Sequence, residues 1–164
     1  MSLFSDPRYE WRETYFVLFK SEKRPTLVQM ERALRRLNPT FTLLNQSADE
    51  KGRFQSLTLL SPEDFAAMDI TYLEGKDVID ETEELIEQIA AGECSPEDRR
   101  RLRELTRLDA RFDVFHFAEI SEEQLEDEDD REDLLDPGAL LLVLDVLSKM
   151  TGGIVVDPQS GTFL

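Results

Sequence analysis

The chain is 164 residues long, enough for one domain with its own hydrophobic core, and carries 36 acidic against 19 basic residues, a formal charge of −17. That balance counts against a nucleic-acid binder, which needs positive surface for phosphate, and against attachment to anionic lipid; it leaves basic partners, metal cations or plain solubility open. A single cysteine, Cys94, rules out an internal disulfide framework, and no basic-then-apolar leader opens the chain, so the expectation is a reducing, cytoplasmic setting.

Thr14–Lys20 reads as a strand, rich in aromatic and β-branched residues and apolar on both faces, which predicts a central position covered on both sides. A helix is predicted from Leu27, with Thr26 and Gln29 as a capping box and Leu27, Met30, Leu34 and Leu37 on one face, ending at Asn38-Pro39. Phe41–Asn45 and Phe54–Leu60 read as strands joined across Gln46–Arg53, with Leu57 and Leu59 on one side of the second. Ser61-Pro62-Glu63-Asp64 is a helix-start pattern, predicting a turn or two over Phe65–Met68 before a short strand at Ile70–Leu73.

Asp77–Ala91 predicts a helix with Val78, Thr82, Leu85 and Ile89 on its buried stripe and an acidic outer face. Ser95-Pro96-Glu97-Asp98 repeats the helix-start pattern before a basic helix with Leu102, Leu105 and Leu108 as its narrow stripe; the pair is expected to be a helical hairpin whose opposite charges face each other. Phe112–Ala118 is a second strand apolar on both faces. Residues 121–136 hold ten acids and one Arg131, which predicts a flexible, solvated loop. In the closing segment Asp136 is the expected cap and Pro137 the first position of a deeply buried helix ending at Gly152, followed by a short strand at Ile154–Val156 and a turn into Thr162–Leu164.

The strand–helix–strand–strand opening resembles the ferredoxin-like superfold over about the first third of the chain, a resemblance that implies no particular activity. The fold expectation is one α+β domain over residues 1–164, with a mainly antiparallel sheet, a ferredoxin-like βαββ start and helices packed on it. Two strands apolar on both faces need cover on both sides. The inserted helices of residues 77–108 supply it within one chain, or a second chain supplies it in a homodimer.

Chemistry-bearing residues are few. His116, the only histidine, shares its strand face with Phe112, Val114 and Ala118, and no serine or cysteine nucleophile is linked to it by spacing. Cys94 lies just before a helix cap, with no orienting base in view. The acidic run Glu126–Asp130 lacks the turn glycine of a calcium loop. The arginines at 99, 100, 101, 103 and 107 form the one concentrated positive feature. Candidate ligand-binding residues are therefore His116, Arg99, Arg103 and Arg107, with no catalytic set, metal site or cofactor expected. The leading functional reading is a non-catalytic protein-binding or regulatory module that meets a protein partner through its acidic surface, a basic partner being one option. The alternative is a small-ligand regulator or enzyme with a site between helices and sheet.

Overall fold

A computed structural model describes residues 3–120 and 137–164. Seven strands form one wholly antiparallel sheet: β1 (Tyr9–Phe19), β2 (Thr42–Ala48), β3 (Phe54–Ser61), β4 (Ala66–Glu74), β5 (Ala110–Glu119), β6 (Ile154–Asp157) and β7 (Thr162–Phe163). Their order across the sheet is β2-β3-β4-β5-β1-β6-β7. Four described helices pack on it: α1 (Leu27–Leu37), α2 (Lys76–Ala90), α3 (Pro96–Leu105) and α4 (Gly138–Thr151).

Both faces are covered within the chain, but by different helices. On one face α1 and α4 bring Met30, Leu34, Leu140, Val143, Leu144 and Leu147 against Val17, Phe19, Ile70, Phe112 and Val114. On the other, α2 and α3 bring Val78, Leu85, Ile89, Leu102 and Leu105 against Leu18 and Val156. Each such side chain contributes roughly 1.5–3 kcal/mol on leaving water, so a sheet apolar on both sides draws helices to both. Among the described residues the second face is only partly roofed. At its far end a short turn of residues 3–5 lies on Ala67 and Phe117 instead of a helix.

Local chemistry accounts for most boundaries. The α1 capping box is complete: Gln29 N–H donates to Thr26 Oγ1 at 3.1 Å and Thr26 N–H to Gln29 Oε1 at 2.9 Å. Gly152 ends α4 at φ +67, a conformation that costs a residue with a Cβ.

Several expectations need correction. The sheet does not show the ferredoxin-like order, because β1 pairs with β5 and β6. The reason is β4. Where the helix-start pattern predicted helix, Pro62–Asp64 makes only one 3₁₀ turn and Phe65 turns left-handed at φ 51. The chain then enters a nine-residue strand with Ala66, Met68, Ile70 and Tyr72 buried on one face. β4 completes a meander from β2 to β5 and delivers β5 beside β1. The closing helix is less enclosed than its composition predicts, since Leu141 and Leu142 are exposed. The expected cap Asp136 and the acidic segment 121–136, including Glu126–Asp130, lie outside the described residues.

Candidate functional site

The sequence-predicted residues do not converge. His116 sits on β5, on the face that α1 and α4 cover, opposite Met68 of β4 and Glu13 of β1. Arg99 and Arg103 lie on α3, on the other face, and Arg107 just beyond it. Strands rise about 3.4 Å per residue, so His116 stands about 20 Å along β5 from the end where Arg107 lies.

His116 is fully buried, and among the described residues neither ring nitrogen has a hydrogen-bond partner. Glu13 Oε1 comes within 3.3 Å of Nδ1 but is too poorly aligned to accept its proton. Burial pushes the imidazole pKa below its ordinary 6.5, and the Glu13 carboxylate offsets this only in part. No described hydroxyl or thiol is hydrogen-bonded to the ring, so the pairing of nucleophile and base that acyl-transfer chemistry requires is not assembled here.

Of the α3 arginines, two pair within their own helix, while for Arg99 and Arg103 no ion pair is found among the described residues. Arg101 reaches Glu97 at 3.1 Å and Arg100 reaches it at 3.9 Å, while the Arg101 guanidinium also lies 5.6 Å from the Phe163 ring centroid. α2 and α3 do form the expected hairpin, packed through the Leu85, Ile89, Leu102 and Leu105 stripes. The facing of opposite charges across it is not found: among the described residues no acid of α2 pairs with an arginine of α3. Glu81 turns inward to Arg111 of β5, whose guanidinium also donates to Asp113 at 2.7 Å and lies 4.1 Å from the Phe16 ring centroid. Burial raises the Asp113 carboxyl pKa despite Arg111 beside it.

Arg107 lines a cleft of about 320 Å³ with Lys20, Lys23 and Glu104. The C-terminal ends of α3 and α4 meet there, at Leu108 and at Thr151-Gly152. Two helix C-termini and one carboxylate already answer three cations, so the cleft holds little positive charge to offer an anion.

What remains uncompensated is the solvent face of α2. Asp77, Asp80, Glu83, Glu84 and Glu87 are all exposed, and among the described residues none of them forms an ion pair or side-chain hydrogen bond. At 100° per residue, Asp80, Glu83, Glu84 and Glu87 point away from the buried stripe of Val78, Thr82, Leu85 and Ile89. Burial of that stripe against the sheet fixes the acids outward on a rigid element. The sequence pattern identified this face; only the structure shows that α3 leaves it unneutralised.

Cys94 is half-buried in the α2–α3 link, its thiol 3.3 Å from the Ile89 carbonyl. Among the described residues no group of three or more His, Cys, Asp or Glu is placed to hold a metal ion, and no helix is long and apolar enough to cross a membrane. Comparison with protein-family models, with curated proteins and with solved structures finds no match.

Proposed function

We propose that this chain is a non-catalytic binding module that recognises a basic protein partner through the exposed acidic face of α2. The observation that carries this reading is the ridge of Asp80, Glu83, Glu84 and Glu87, held outward by a buried stripe and, among the described residues, paired with no cation despite the basic helix next in the chain. The whole-chain charge of −17 adds to it, because a negative field steers a basic partner toward the surface and raises the association rate. His116, buried with only the Glu13 carboxylate near its ring and no described hydroxyl or thiol bonded to it, does not compete with this reading.

The test is capture from a lysate of the source organism at low salt, with mass-spectrometric identification of what binds. A basic protein is expected, released as ionic strength rises. Capture of nothing, or of proteins whose binding ignores salt, removes the support for this reading.

A further inference from the structure

The second sheet face, beyond the reach of α2 and α3, carries two neighbouring cavities of about 350 and 390 Å³. Asn45 and Thr58 line both, so the cavities form one cleft beside the turn of residues 3–5. Each volume falls within the range of about 300–1,000 Å³ usual for small-molecule sites.

The floor is rigid strand. Ser56 of β3 faces Thr71 of β4, and Asp69 of β4 stands between Thr58 of β3 and Phe115 of β5. Phe4 closes one side, its ring edge-on to Phe115 and Phe117 at 5.3 and 4.8 Å and itself 58% exposed. At the junction β2 bulges: Asn45 and Gln46 stand opposite Leu57 alone, and Asn45 takes a left-handed φ of 54. Bulges and left-handed non-glycine residues are concentrated at functional sites because they re-aim a side chain. Protection of an edge strand also explains a bulge. It does not explain why the side chains of Ser56 and Thr71, half-buried on interior strands, make no hydrogen bond among the described residues, nor why that of Asn45 makes none.

Three donor–acceptor side chains without a bond among the described residues, the exposed Asn45 and the half-buried Ser56 and Thr71, beside two aromatic rings suit a ligand with hydroxyls on its rim and an apolar C–H face. Asp69, whose carboxylate accepts from Thr58 Oγ1 at 2.6 Å and from Leu3 N–H at 3.2 Å, disfavours an anion, as does the net charge of the chain. We propose that this cleft binds an uncharged saccharide, held by Asn45, Ser56 and Thr71 with Phe4 and Phe115 as its apolar wall. The two lobes run on from one another, which favours a disaccharide over a single ring.

The experiment is an amide-resolved NMR titration of the full chain with cellobiose, maltose and chitobiose. At least one probe should give saturable shifts at Asn45, Ser56, Thr71 and Phe115. Thr71→Val and Ser56→Ala should each weaken binding about 2–10-fold, the effect of one hydrogen bond, while keeping wild-type spectral dispersion. The proposal is overturned if none of the three sugars shifts the cleft amides saturably, or if both variants bind as the wild type does. A stronger response of the same amides to tetramethylammonium would also overturn it, by assigning the cleft to cations. The wild-type titration decides the matter even if a variant folds poorly.

Discussion

Replacing His116 by leucine should stabilise the protein. The side chain is enclosed between β1 and β4 and both ring nitrogens lack partners among the described residues, and a buried polar group without a partner costs about 1–3 kcal/mol. Leucine fills a similar volume and removes that cost, while Glu13, its side chain 31% exposed, can be served by water. The expected gain at pH 7.5 is about 1 kcal/mol, the low end of that range, because the off-angle Glu13 contact already recovers part of the cost. The lowered pKa sets the sign of the pH dependence. The unfolded chain protonates His116 near its ordinary 6.5, and the folded chain only at lower pH. The cost of burying His116 is therefore smallest above about pH 6.5 and grows as pH falls toward the folded value, by about 1.4 kcal/mol per unit of displacement. Urea unfolding of wild type and His116→Leu between about pH 5 and 7.5 reads both effects, and the difference between the curves isolates this residue from the many carboxylates. A variant less stable by more than about 1 kcal/mol at pH 7.5, or one that keeps the wild-type slope through pH 6, would overturn this prediction and show that the imidazole makes a productive contact.

Three further outcomes are expected. Arg111→Met should cost about 3–5 kcal/mol in chemical denaturation by leaving Asp113 buried without its cation, and Arg111→Met with Asp113→Leu should recover most of that loss. Gly153→Ala should lower stability by about 1–3 kcal/mol in thermal unfolding, since a Cβ there would meet the Leu18 carbonyl oxygen at 2.8 Å. Leu140→Ala, at a fully buried position where α4 meets the sheet, should cost about 2–5 kcal/mol; a loss under 1 kcal/mol would mean that α4 is not seated as described.

Two segments show how far local chemistry can be read. Both begin Ser-Pro-Glu-Asp. At Ser95 the capping box closes on Asp98, with bonds of 3.1 and 3.2 Å, and a run of arginine and leucine carries the helix on. At Ser61 the hydroxyl also reaches the fourth residue, Asp64 at 2.7 Å, but Phe65 turns left-handed and the alternating Ala66, Met68, Ile70 and Tyr72 pair as strand. The cap signal is the same in both. The residues after the cap decide between helix and strand, and the period-two pattern of Ala66 to Tyr72 was the available clue. Reading only Ile70–Leu73 of β4 as strand in turn hid the strand order, because β1 meets β5 only once that meander is complete. By contrast, the faces of Val17, Leu18, Phe112 and Val114 predicted a sheet needing cover on both sides, and the inserted helices α2 and α3 cover part of the face opposite α1 and α4. Asp145, the one charge within the apolar run Leu140–Leu147 of the closing helix, is exposed and pairs with Lys149 one turn on at 2.8 Å.

The candidate site was less legible. The acidity of α2 stands out in the sequence, yet that no arginine of α3 reaches it among the described residues is visible only in the structure, where Arg100 and Arg101 turn to Glu97 instead. The sheet cleft left no sequence mark at all. Ser56 and Thr71 look like ordinary outward strand residues until the end of the α2–α3 cover is known.

If the α2 ridge holds a basic partner, reversing its charge must weaken the complex. The decisive measurement is the affinity of the captured partner for wild type and for a variant with Asp80, Glu84 and Glu87 changed to lysine, by calorimetry at low and moderate salt. The variant is expected to bind at least about tenfold more weakly at low salt, a loss of about 1.4 kcal/mol, with a difference that shrinks as salt screens the ridge. Equal affinities for the two proteins at both salt concentrations would contradict a role for the ridge in binding.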